Sequence, residues 1–113
     1  MTIPIGCTTV VFTSRRTTTH AEDYAAMAAR MDELVRQQPG FIDSISTRDP
    51  QTRIGITVAY FMDDESARSW KQHAEHLVAQ QRGARDFYEW YAVTVATVTR
   101  AYTSDIAAAD SLE

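Results

Sequence analysis

Lysine occurs once in these 113 residues, at Lys71, and cysteine once, at Cys7. One cysteine forms no intrachain disulfide and offers no thiolate cluster to a metal; Cys7 reads as a small strand residue. The formal net charge is -4 and there is no basic run. That balance argues against nucleic acid as a partner, because phosphate contacts draw on clustered Lys and Arg. No apolar stretch approaches the ~20 residues of a membrane-spanning helix, so no membrane partner is expected. The opening MTIPIGC has neither the basic start nor the apolar run of a signal peptide, and the expected location is cytoplasmic. What remains is an ordinary globular composition, 44% hydrophobic and 23% charged. Its length suits one domain, residues 1–102, followed by a C-terminal tail, residues 103–113. A domain this small gains from dimerisation.

Cys7 to Ser14, CTTVVFTS, is rich in β-branched residues and reads as a strand. Arg15 to Thr18 connect it to a helix opened by Thr19 and Glu22 at capping-box spacing. Along that helix Tyr24, Met27, Ala28, Met31, Leu34 and Val35 recur at three- and four-residue steps. Pro39 and Gly40 end it. Phe41 to Asp49 reads as a second strand, DPQTR as a turn, and Ile54 to Met62 as a third strand. Asp63 or Asp64 caps a second long helix running to about Gln81. Gly83 breaks it, ARDFYEW forms a short helical segment, and Tyr91 to Tyr102 is the last strand.

The order β-α-β-β-α-β predicts an α+β, ferredoxin-like fold, with a four-stranded antiparallel sheet and both helices on one face. In the third strand Ile54, Ile56, Val58 and Tyr60 point one way, and Thr57, Ala59 and Phe61 the other. Neither side is polar enough for a solvated face. The face without helices is therefore expected to bury against a second copy, giving a homodimer.

Ser69 to Gly83, SWKQHAEHLVAQQRG, concentrates one of the two tryptophans and two of the three histidines. On a 3.6-residue helix Trp70, Ala74, Leu77 and Gln81 share a face, with Ala67 and His73 beside it. Small alanines beside a tryptophan leave room at the helix–sheet boundary, which Phe87, Trp90 and Tyr91 are placed to fill. One reading makes Trp70 a core anchor and His73 a hydrogen-bonded core histidine. The other makes the group an apolar pocket with an imidazole as base, which a pKa of about 6.5 suits. His73 and His76 lack a third metal ligand at a workable spacing, so no metal is expected. Arg15, Arg16, Arg82 and Arg85 read as solvated, although one arginine beside a pocket would stabilise an oxyanion.

The segments QQPGFIDSIS, GITVAYFMDDESARSW and HAEHLVAQQRGARDFYEWYAVTVATVTRAY, in this order, resemble the antibiotic biosynthesis monooxygenase (ABM) domain family. The likeness runs from roughly Thr8 to Tyr102. It rests on the PGF turn, the strand leading into the helix with Trp70, the Glu75–His76 pair and the Gly83 to Tyr91 block.

The resemblance implies a dimeric α+β barrel, each protomer holding a pocket between sheet and helices. It implies a cofactor-independent monooxygenase that oxidises an electron-rich aromatic or polyketide-like substrate with molecular oxygen. Trp70, His73, His76 and Arg85 are then the catalytic candidates, with an imidazole as base and Arg82 or Arg85 facing negative charge. Phe12, Tyr60, Leu77, Phe87, Trp90 and Tyr91 would contact the substrate. Haem-degrading relatives use an asparagine, a tryptophan and a histidine. Trp70 and His76 match the last two, but the chain has no asparagine, which leaves haem as the alternative. An isomerase, cyclase or decarboxylase, and a non-catalytic ligand-binding dimer, are the other readings of this fold.

Overall fold

The structure, a computed structural model, describes residues 2–104. Its elements are β1 (Thr8–Arg16), α1 (Ala21–Val35), β2 (Phe41–Arg48), β3 (Ile54–Phe61), α2 (Asp64–Gln81), the single turn α3 (Ala84–Phe87) and β4 (Tyr88–Thr97). The four strands form one sheet in the order β2-β3-β1-β4, every neighbouring pair antiparallel. This is the expected ferredoxin-like α+β arrangement, in which the two halves interleave and the first and third strands lie at the centre.

Period-two alternation fixes the two faces. Val10, Phe12 and Ser14 of β1 lie opposite Val95, Val93 and Tyr91 of β4, and Ala59, Thr57 and Gly55 of β3 are their partners on the other side. These residues face the helices. The core is centred on Val35, Ala59, Phe61 and Ala67, with Val10, Phe41 and Trp70 packed against it. Phe61 is fully buried, and burial on that scale is worth roughly 1.5–3 kcal/mol per large apolar side chain. The α2 helix meets β3 and β1. It leaves the same face of β4 open: Tyr91, Val93 and Val95 are exposed. The opposite face carries Ile45, Ile54 and Ile56, also exposed.

Three boundaries differ from the sequence expectation, each for a local reason. β1 continues through Arg15 and Arg16 instead of turning. Alternation places Arg16 on the same face as Val10, Phe12 and Ser14, so that Arg16 is buried and not solvated, and a register shift that skips Glu89 of β4 brings Tyr88 opposite it. Thr19 does not cap α1. Its carbonyl accepts from Arg16 Nη2 at 3.1 Å, and the cap position falls to His20, left-handed at φ 59° with no side-chain cap. The last strand begins at Tyr88, because α3 closes after one turn, and ends at Thr97. Asp63 caps α2 as expected, accepting from Ser66 N at 2.8 Å. Most of the expected tail, residues 105–113, lies outside the described residues.

Candidate functional site

Between the helix-facing side of the sheet and the two long helices lies a cavity of about 770 Å³, within the usual size of small-molecule sites. Its walls are mostly apolar. Phe12 stacks on Tyr91 at 5.7 Å between ring centroids and meets Tyr88 edge-on at 5.6 Å. Trp70, Met27 and Met31 close the helical side. A second hollow of about 660 Å³ lies on the outer face among the N-terminal segment, Ile45, Tyr60 and residues after β4. Among the described residues it lacks such a set of aromatic walls, and Arg100 is the one charged residue in its lining.

Of the substrate-contact candidates, Phe12 and Tyr91 line the cavity. Phe87 is fully buried behind it, packing edge-on against Tyr24 and Tyr88. Tyr60 belongs to the outer face beside the second hollow. Trp90 is exposed on β4 opposite Arg15, and so on the face turned from the helices. Leu77 is half-buried but is not part of the lining.

Of the catalytic candidates, only Trp70 lines the cavity. His73 and His76 are exposed on α2 and contribute nothing to its wall. The face that α2 turns inward runs through Ala67, Trp70, Ala74 and Val78, with the exposed Lys71 and Glu75 at the cavity's edge. Val78 takes the place expected of Leu77, and that rotation carries His73 outward. There its ring leans on the indole of Trp70, centroids 5.6 Å apart and tilted by 38°. Arg85 is exposed on α3, and Arg82 pairs with Asp23, tying the end of α2 to α1.

The charged end of the cavity comes from elsewhere. Arg48, the last residue of β2, lines it together with Tyr24 and Tyr88. Its Nη1 donates to the carbonyls of Ser14 (3.2 Å) and Arg53 (2.7 Å), and its Nη2 to Ser14 Oγ (2.8 Å) and Tyr24 Oη (3.3 Å). Gly55 makes room for this: a Cβ there would stand 2.5 Å from Arg48 Cζ and 2.7 Å from Nη2. Arg16 stands over the Tyr24 ring from 4.1 Å and Arg48 from 5.7 Å. Neither guanidinium joins any ion pair among the described residues.

The other charged lining residues are neutralised locally, Asp32 by Arg36, Asp64 by Arg68 and Glu75 by Lys71. Burial pushes the Arg16 guanidinium below its ordinary pKa; the tyrosines oppose that shift and Arg48 adds to it. Burial raises the Tyr88 phenol well above its usual value, with Tyr24 acting the same way and the two arginines in opposition. Tyr88 is therefore a neutral hydrogen-bond donor at physiological pH. A signal for Arg48 was present in the sequence. Alternation along FIDSISTR puts Ser44, Ser46 and Arg48 on one face, a polar set on the side that must meet the helices.

Among the described residues no three His, Cys, Asp or Glu side chains converge as metal ligands. With both histidines outside the lining, the Trp70–His76 pair that would parallel haem-degrading relatives does not converge on the cavity.

No protein-family model matches the chain. It is 42% identical over 77 residues to the uncharacterised protein YqjZ of Bacillus subtilis (strain 168), a match covering 68% of this chain and 67% of YqjZ. Among solved structures it is similar to SnoaB, a cofactor-independent oxygenase from Streptomyces nogalater, with TM-score 0.69 and 14% identity over 88% of this chain and 99% of that one. It is also similar to Rv0793 of Mycobacterium tuberculosis, with TM-score 0.71 and 12% identity over 86% and 99% of the two chains. A third match is a candidate antibiotic biosynthesis monooxygenase of Nitrosomonas europaea, with TM-score 0.64 and 10% identity over 86% and 94%. The chain belongs to the family of YqjZ, and its fold is that of the antibiotic biosynthesis monooxygenase domain.

Proposed function

We propose that this protein is a monooxygenase that oxidises an electron-rich aromatic molecule with molecular oxygen and without a cofactor. The observation that carries the reading is the cavity of about 770 Å³, walled by Trp70, Phe12 and Tyr91, on a fold shared with a cofactor-independent oxygenase.

Triplet oxygen reacts slowly with closed-shell molecules, but an ionised phenol or anthrone passes it one electron readily. The radical pair combines to a hydroperoxide, which loses water and leaves a carbonyl. Overall a ring CH₂ and O₂ become C=O and H₂O, the proton first released returning to the peroxide. The protein has to hold the ring flat between aromatic walls, keep water out and stabilise the anion. Trp70, Phe12 and Tyr91 serve the first task; the second falls to whatever covers Tyr91, Val93 and Val95, which the helices leave exposed. Arg48, in place of Arg82 or Arg85, serves the third. No imidazole faces the cavity, so neither His73 nor His76 takes the proton; the substrate ionises through its own acidity, raised by the positive end of the site.

The exposed isoleucines of the outer face, Ile45, Ile54 and Ile56, support a homodimer joined through that face. Oxygen uptake with a panel of anthrones and hydroxynaphthalenes, in metal-free buffer with chelator, tests the reading. One O₂ consumed per carbonyl formed is expected. Product formation at an unchanged rate under argon would replace it with isomerase or cyclase chemistry, and a Soret band on adding haem would favour the haem alternative.

A further inference from the structure

The positive end of the cavity has more charge than the fold around it uses. Arg48 spends its Nη donors on two carbonyls and two hydroxyls, none of which cancels its charge. Backbone carbonyls likewise hold Arg16, those of Phe87 and Thr19. Hydrogen bonds to neutral groups satisfy the N–H directions of a guanidinium but leave its unit charge in place, and a half-buried site screens that charge poorly. Tyr24 accepts from Arg48 Nη2 at 3.3 Å, so its own hydroxyl proton remains to be donated. Tyr88 adds a second phenol on the same wall. Part of that donor capacity is spent between Tyr24 and Tyr88 themselves, and the O–H that remains, beside a fixed cation, is a donor set for an anionic oxygen.

From this geometry we infer that the cavity selects aromatic molecules bearing an anionic oxygen, a carboxylate or an ionised phenol, seated against Arg48, Tyr24 and Tyr88. Gly55 is the positioning residue that lets the guanidinium lie against the sheet. An added Cβ would reach Arg48 Cζ at 2.5 Å and Nε at 2.9 Å, so alanine at 55 lifts the guanidinium off Ser14 and Tyr24. This inference rests on the reading of the cavity as the substrate site, but it needs no oxygen chemistry.

The test is anaerobic calorimetry with 2-naphthoate and its neutral isostere 2-naphthamide. The wild type is expected to bind the acid ~10- to 100-fold tighter, as a charge-assisted hydrogen bond predicts. Arg48→Met should erase that preference, bringing acid and amide to similar affinities, and a retained near-UV circular dichroism spectrum shows that the cavity still forms. Gly55→Ala, which removes no hydrogen-bonding group, should reduce the preference in the same direction. Titration of 4-nitrophenol separates the two anion sources: an apparent pKa lowered on binding admits ionised phenols, and an unchanged one assigns the site to carboxylates. Equal affinity for acid and amide, binding of neither, or an unaltered preference in Arg48→Met overturns the inference and leaves Arg48 as a tether of the β2–β3 turn. Because oxygen is absent throughout, failure of the oxygenase reading and failure of this one are separate results.

Discussion

Gly40, in the turn between α1 and β2, is the position where a single methyl group should do the most measurable damage. Its φ is +83°, a region that costs an L-residue roughly 1–2 kcal/mol. Its carbonyl accepts from Met62 N at 2.7 Å, pinning the start of β2 to the end of β3. A Cβ built at 40 would overlap Ser66 Oγ and stand 2.7 Å from Ser66 Cβ, about 1 Å inside a comfortable carbon–carbon separation. Ser66 cannot simply rotate away, because its Cβ is fixed in the first turn of α2, where its N–H is held by the Asp63 cap at 2.8 Å. Overpacking of this kind costs about 1–3 kcal/mol. Against that, alanine stiffens the unfolded chain by about 0.4–1 kcal/mol. The expected net loss for Gly40→Ala is therefore about 1–4.5 kcal/mol. It should be read as a lowered urea midpoint with an unchanged slope. The companion Gly40→Ala, Ser66→Gly removes the overlap but not the backbone strain, so the two changes should couple favourably by about 1–3 kcal/mol. A single mutant within ~0.5 kcal/mol of wild type, or a double mutant with no recovery, would refute the reasoning.

His73→Ala and His76→Ala should each keep the steady-state oxidation rate within about twofold, whereas Trp70→Ala should lose ~10-fold or more by opening the aromatic wall; steady-state oxygen uptake decides. Asp63→Asn should leave stability at neutral pH nearly unchanged, since asparagine caps as well as aspartate. The Asp63 pKa is depressed by its bonds to Ser66, so its contribution is present above the usual aspartate pKa and is lost as pH falls through the depressed value. The asparagine variant should accordingly show a flatter acid limb in thermal melts. Phe87→Ala removes a fully buried ring that seats both Tyr24 and Tyr88, and a loss of about 3–5 kcal/mol is expected in denaturant titration. Ile56→Glu, on the exposed outer face, should convert a dimer to a monomer by sedimentation if that face is the protomer contact.

Strand and helix order was readable because each element has one dominant period. The step of Met27, Met31 and Val35 marks α1, and the alternation of Ile56, Val58 and Tyr60 marks β3. The rotation of α2 was harder to read. Its inward face holds two alanines, a tryptophan and Val78, so apolar spacing alone leaves Leu77 and Val78 equivalent, and that ambiguity decides whether His73 faces in or out. Alternation along β2 puts Arg48 on the helix-facing side, but its role was hidden for another reason. Its role depends on Ser14, Gly55 and Tyr24, which are brought to it by strand pairing and by a helix far away in sequence. Arg16 continues the inward alternation of Val10, Phe12 and Ser14, which ending the first strand at Ser14 conceals, and the irregularity of β4 that brings Tyr88 opposite it has no local signal.

The choice of arginine over lysine has a consequence for pH. Ten of the eleven basic residues are arginine, and Arg48, with Arg16 behind it across Tyr24, has no carboxylate partner among the described residues. A buried lysine escapes its desolvation cost by giving up its proton, whereas arginine stays charged across the working range. Tyr88, its phenol raised by burial, stays neutral over the same range. An arginine and a buried tyrosine therefore bring no change of charge between about pH 5 and pH 9. Any inflection in kcat/KM over that interval should come from the substrate and should move with the acidity of its ionising group. Two substrates of one ring system, with phenol pKa values separated by about two units, should give profiles displaced by about the same amount. An inflection fixed near pH 6.5 for both substrates, and removed by His73→Ala or His76→Ala, would place an imidazole in the reaction. It would then require α2 to rotate from the orientation in which Trp70, Ala74 and Val78 face the sheet.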